Sequence, residues 1–200
     1  MQKRSITTVL IVVISAFYLV AAYFPAITGW NLPLQQQLFL IRSAVFPDGS
    51  AHGVDHGEYY RLITVALTHG SLTHLLFNMV ALFQLGTSVE AFYGRLKYGF
   101  ILFASLLAGS AASYIFNPPN MPAVGASGMI FGLFGALVVT GKRMGVDYRA
   151  VGGVIVINLL ITFIVPNIDW HAHIGGMAGG ALATYLVIMF NRPQKRLRNI

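Results

Sequence analysis

Cysteine is absent from the 200-residue chain, which excludes a disulfide framework and thiol chemistry. Charge is scarce: 10% of the residues are Asp, Glu, Lys or Arg, and only 6 are acidic. A soluble domain carries about 25% charged residues. A chain that is 56% hydrophobic therefore has too little polar surface to solvate a globule. No tandem repeat, low-complexity tract or inserted soluble domain interrupts it. The net charge of +7 would suggest a nucleic-acid partner. Here, however, the basic residues fill short gaps between apolar runs, which is the pattern of membrane topology and not of a phosphate-binding face.

What the sequence does have is long apolar runs. A transmembrane helix needs about 20 such residues because the hydrocarbon core is ~30 Å thick. The runs predict six spans, at about 5–24, 71–89, 97–116, 127–141, 150–166 and 171–191. The expected fold is all-α, a polytopic six-helix bundle forming one domain over residues 1–200, with a short basic tail at 192–200 that meets anionic lipid heads. The first run follows Lys3 and Arg4 and continues to Phe24 without a convincing cleavage site, so it reads as a retained span. With the N-terminus inside and six crossings, eleven basic residues fall inside: Lys3, Arg4, Arg95, Lys97, Lys142, Arg143, Arg149, Arg192, Lys195, Arg196 and Arg198. Only Arg42 and Arg61 fall outside, so both termini are expected in the cytoplasm of a bacterial or archaeal cell.

The fourth span is short. Fifteen residues, 127–141, rise only ~22 Å at ~1.5 Å each. Measured from the inner face, Ser127 then lies roughly 8–10 Å below the outer surface of the ~30 Å core. The uncharged loop Asn117–Val124 must dip into the membrane to reach it. Non-helical backbone at that depth is tolerated only where protein buries it or where it lines a wet cavity. An outward-facing aqueous pocket with Ser127 at its floor follows.

Polar side chains inside spans are costly and mark function by default. His74 and Asn78 share a face of the second helix, Gly125-Ala-Ser127-Gly128 opens the fourth, and Asp169-Trp-His171-Ala-His173 opens the sixth. In this topology the three helix starts converge at one depth. A serine hydroxyl needs a neutral imidazole to take its proton, and peptide cleavage needs donors aimed at the developing oxyanion. Ser127 at a helix N-terminus brings free backbone N–H groups, His74 and Asn78 add side-chain donors, and Gly125 and Gly128 keep the backbone open to a substrate. Each element also has a plainer use: Ser127 as an N-cap, the histidine as a hydrogen-bonding link between helices, and the glycines as packing surfaces. Between the two histidines, the face through His173 continues as Gly176, Gly180 and Ala183, small enough to meet Gly128, Gly132 and Gly135 of the fourth span. The face through His171 turns bulky at Leu182 and Tyr185, which favours His173 as the base.

These motifs, Glu58-Tyr-Tyr-Arg61, His69-x4-His74-x3-Asn78, Gly125-Ala-Ser127-Gly128 and Ala172-His173-Ile-Gly-Gly176 with Gly180, resemble the rhomboid family of intramembrane serine proteases in spacing and order across nearly the whole chain. The resemblance implies Ser127 as nucleophile, His173 as general base, and His74, Asn78 and the Ser127 N–H as oxyanion hole. It implies supporting roles for Arg61 in the first loop, Glu90 as a structural carboxylate at the inner end of the second span, and Phe131, which stands where some members have a tyrosine. The implied partners are transmembrane protein substrates and the lipid bilayer, with no cofactor and no metal. Asp169 reads as an exposed loop carboxylate rather than a third catalytic member. His52, Asp55, His56 and Glu58 read as a solvated loop rather than a metal site. Two other functions stay open: an inactive rhomboid-like factor that binds membrane proteins, and a small transporter. The first would require loss of Ser127 or His173. The second would require polar groups reaching the inner halves of the spans.

Overall fold

The structure, a computed structural model, describes residues 5–28, 34–145, 148–164 and 168–190. The basic tail, Lys3 and Arg4 therefore lie outside the described residues. Helices occupy each of the six apolar stretches: α1 (Ile6–Thr28), α4 (Leu72–Tyr93), α5 (Arg95–Phe116), α6 (Ser127–Thr140), α7 (Tyr148–Ile164) and α8 (Trp170–Phe190). Segments of α1, α4, α5 and α8 are long and apolar enough to cross a bilayer, while α6, with 14 residues, and the apolar part of α7 are shorter. The outward faces carry large apolar side chains such as Phe77, Phe83, Ile157 and Leu182, the surface that lipid would cover.

α6 is the axis of the bundle. Its residues Gly128 through Leu137 are all buried. Its tightest neighbour is α8, and α5 packs against both. Small residues make this possible: a Cβ on Gly176 would overlap the Gly128 carbonyl, one on Gly180 the Gly132 carbonyl, and one on Gly135 the Met177 carbonyl. Backbone thus meets backbone along the α6–α8 seam, the close approach that small residues permit in a membrane, where the hydrophobic effect supplies no force between helices. α7 stands at the periphery and meets α8.

The segment between α1 and α4 has a fold of its own. It holds α2 (Leu34–Leu38), a short antiparallel pair β1 (Ala44–Val45) and β2 (Ala51–His52), and α3 (Arg61–Thr64). Its anchor is Arg61, whose side chain is 1% exposed. Arg61 donates to Glu58 Oε2 at 2.6 Å and to the carbonyls of Gln36 and Phe39 at 2.9 and 2.8 Å. Burial alone would raise the Glu58 carboxyl. Hydrogen bonds from Arg61, His52 and the Gly53 N–H outweigh it and bring the pKa down to about 2. This module also pins the loop before α6. Leu40 and Ala123 exchange backbone bonds of 3.0 and 2.8 Å, and Gly125 N–H donates to Val65 O at 3.1 Å. The non-helical approach to Ser127 is therefore hydrogen-bonded to this module at Ala123 and Gly125.

At the other end, Glu90 caps α1. It accepts from Ser5 Oγ, the N–H groups of Ile6 and Thr7, and Thr7 Oγ1, at 2.6 to 3.0 Å. One carboxylate satisfies two of the orphan N–H donors of a helix start 83 to 85 residues away and docks α1 on α4.

Candidate functional site

Ser127 is the first residue of α6; Ala126 holds the cap position, and no side chain caps it. The hydroxyl is thus not spent as an N-cap. It lies 2.8 Å from His173 Nε2 on α8. Ser127 is partly exposed, while Ala126, Gly128 and His173 are buried. The sequence Gly125-Ala-Ser127 forms this corner because Gly125 adopts φ +115°, a conformation L side chains rarely take, and because His74 leaves no room for a Cβ there. A Cβ on Gly125 would lie 2.8 Å from His74 Cε1, 3.0 Å from His74 Nε2 and 3.7 Å from Ser127 Oγ, so the His74 ring and the hydroxyl flank the same point beside Gly125.

His74 and Asn78 enter from α4, whose start is capped by Ser71 accepting from the His74 N–H at 3.1 Å. Asn78 Nδ2 donates to His74 O at 2.9 Å. An amide group has two N–H donors, and this bond uses one. His69, which opens the same motif, is fully buried, with its ring 5.1 Å from that of His74.

The His173 ring is clamped. Phe131, one turn after Ser127, stacks on it at 4.0 Å with planes 8° apart. Its Nδ1 lies 2.8 Å from Thr162 Oγ1 on α7, a residue that sequence reading passed over. The available signal was the polar pair Asn158 and Thr162, four apart in an otherwise apolar helix. His171 points elsewhere: its Nδ1 lies 2.6 Å from Asn117 Oδ1, and its ring stacks on Phe116.

The Asp169 side chain makes no hydrogen bond to His173, and it is not a freely solvated carboxylate. Its Oδ1 accepts from the Ala172 N–H at 3.0 Å, at the start of α8, and it is half-buried. The first-loop cluster is dispersed. His52 bonds Glu58, Asp55 pairs with Arg42 and Tyr114, and His56 meets Ser43. No group of three or more His, Cys, Asp or Glu side chains that could hold a metal ion exists among the described residues. Arg61 and Glu90 lie outside the Ser127 cluster and hold the first loop and α1 in place.

Chemically, the cluster offers a hydroxyl against an imidazole nitrogen, the free N–H groups of a helix start, and two further polar side chains on a neighbouring helix.

Comparison with known proteins identifies relatives of the chain. The rhomboid domain family matches residues 56–190. The rhomboid protease GluP of Bacillus subtilis is 42% identical over 135 residues, 65% of this chain and 26% of GluP. YdcA of the same bacterium is 33% identical over 141 residues, 68% of this chain and 71% of YdcA. RHOMBOID-like protein 5 of Arabidopsis thaliana is 32% identical over 149 residues, 70% of this chain and 47% of that protein. The chain thus spans about a quarter of GluP and about half of the plant relative. The matched region contains every element of the cluster around Ser127, and the chain, a helical polytopic integral membrane protein, belongs to the rhomboid family.

Proposed function

We propose that the chain is an intramembrane serine endopeptidase that cleaves peptide bonds in or near transmembrane segments of other proteins. The observation that carries this reading is the 2.8 Å approach of Ser127 Oγ to His173 Nε2 at the start of a helix. In the reaction, Ser127 Oγ attacks the scissile carbonyl carbon while its proton passes to His173 Nε2. The carbonyl oxygen gains negative charge and is met by the Ser127 N–H, His74 and Asn78. Collapse of this intermediate breaks the C–N bond, and the imidazolium returns its proton to the leaving amine. Water then attacks the acyl-enzyme by the same route and frees Ser127. The α6 N-terminus adds its unpaired N–H groups and the positive end of its dipole.

Six crossings with both termini cytoplasmic and catalysis toward the outer side fit the charge asymmetry of the loops. The preferred substrate is a single-span protein whose helix unwinds easily, because a peptide bond inside a stable helix is sterically closed. Purified protein incubated in detergent with a tagged single-span substrate tests the proposal, with wild type beside Ser127→Ala. Cleavage by wild type and none by the variant is expected. Equal cleavage by both removes Ser127 from the chemistry. Binding of the substrate without cleavage by either would favour an inactive membrane-protein-binding factor.

A further inference from the structure

We infer that Thr162 of α7 is the positioning residue for His173, fixing the ring tautomer in which Nδ1 carries the proton and Nε2 presents its lone pair to Ser127. The inference rests on the serine–histidine reading above. Thr162 Oγ1 makes two contacts of 2.8 Å, one to the Asn158 carbonyl one turn earlier on α7 and one to His173 Nδ1. A hydroxyl has a single proton and two lone pairs. A carbonyl can only accept, so the proton is committed to Asn158 O, the back-bonding that threonine adopts within helices. Toward His173 the hydroxyl can then only accept, and Nδ1 must be the donor. The remaining ring nitrogen, Nε2, is the one 2.8 Å from Ser127 Oγ. A base that removes the serine proton must be unprotonated there.

No other group competes for Nδ1. Phe131 covers a ring face and has no acceptor at the ring edge; Asp169 Oδ1 accepts from the Ala172 N–H, and its Oδ2 makes no hydrogen bond to the ring. Thr162 is itself buried, so water does not compete for the contact. The choice of a hydroxyl also has a physical reason. A carboxylate orienting the histidine at this depth would be a buried ion with a large desolvation cost, whereas threonine supplies an acceptor without charge. After proton transfer the imidazolium donates at both nitrogens, and the Thr162 acceptor keeps its bond.

The test compares wild type, Thr162→Val, Thr162→Ser and Ser127→Ala in the detergent cleavage assay, together with nitrogen-15 and carbon-13 NMR of the His173 ring. Valine keeps the shape and removes the acceptor; serine keeps the acceptor. The expected result is that Thr162→Val loses about tenfold in kcat with KM within twofold, the size of one neutral hydrogen bond. Thr162→Ser should hold at least half of the wild-type kcat. The wild-type ring should show a single Nδ1–H tautomer, and Thr162→Val should add the Nε2–H form. A Nε2–H ring in the wild type overturns the inference even if the valine variant fails to fold. So does an unchanged kcat and tautomer in Thr162→Val while Ser127→Ala is inactive, a result that leaves the serine–histidine reading standing. If Ser127→Ala cleaves like wild type, that reading falls and the inference with it.

Discussion

Substituting Gly176 by alanine should abolish most activity and destabilise the fold. The added Cβ would overlap the Gly128 carbonyl oxygen and lie 2.7 Å from its carbon and 3.2 Å from its Cα, where ordinary contact begins at 3.4 Å. These are backbone atoms, so no rotamer change relieves them, and the α6–α8 seam must open. Restoring the carbonyl carbon from 2.7 to 3.4 Å requires at least about 0.7 Å of separation, and the overlapped oxygen requires more. Gly128 adjoins Ser127, and Gly176 is one turn from His173. The same opening therefore carries the 2.8 Å Ser127–His173 contact to at least about 3.5 Å, beyond the ~3.2 Å limit for proton transfer. A 1 Å misplacement of reacting groups costs about 10² in rate, so kcat/KM should fall by roughly 10–10². Stability falls as well: about 1 kcal/mol of helix propensity offsets only part of the overpacking cost, about 1–3 kcal/mol or more for a backbone overlap. The control is Gly152→Ala on α7, where a Cβ meets nothing within 4 Å; it should keep full activity. Cleavage kinetics and thermal melts in one detergent measure both quantities. Wild-type kcat/KM in Gly176→Ala, or equal damage from Gly152→Ala, would refute the claim that seam spacing sets the Ser–His distance.

The Glu58–Arg61 pair should make stability acid-sensitive. Because the folded Glu58 pKa is lowered from 4.5 to about 2, its contribution is complete above about 4.5, declines as pH falls toward 2 and is lost below it. Thermal melts of wild type and Glu58→Gln should therefore differ at pH 7 and converge near pH 2. Arg61→Ala leaves Glu58 without its main partner and Gln36 O and Phe39 O without their donor, and should lower Tm markedly, a loss of about 3 kcal/mol. Glu90→Ala should expose the α1 N-terminus to hydrogen exchange and lower Tm while Ser127 still labels with a serine-directed probe. Asn78→Ala should fold normally and lose up to about 10²–10³ in kcat, the range for removal of one oxyanion donor; unchanged turnover in both Asn78→Ala and His74→Ala would remove these side chains from the oxyanion hole.

Much of this was legible in the sequence because membranes impose simple rules. Apolar runs mark the helices, and the brevity of 127–141 pointed to a non-helical approach to Ser127. The spacing of Gly176, Gly180 and Ala183 pointed to the face that meets α6, and so to His173 over His171. What escaped were contacts between residues far apart in the chain that leave no local period. Glu90 resembled a structural carboxylate, but its cap on the first turn of α1 exists only once α1 and α4 dock. The Leu40–Ala123 bridge joins two irregular segments, and backbone pairing of that kind has no side-chain signature. Thr162 was hidden because a threonine in an apolar helix normally bonds its own backbone, and it does so here as well. Asp169 illustrates the reverse error. The sequence leaves it as an exposed loop carboxylate, although its position just before α8 already suits an N-cap.

The central claim is that Ser127 is activated by His173. Labelling with a serine-directed fluorophosphonate followed by peptide mapping tests it most directly. Wild type and His171→Ala should be labelled at Ser127, Ser127→Ala should not be labelled, and His173→Ala should react far more slowly. Labelling of Ser127→Ala at another residue, or loss of labelling in His171→Ala with retention in His173→Ala, would contradict the account.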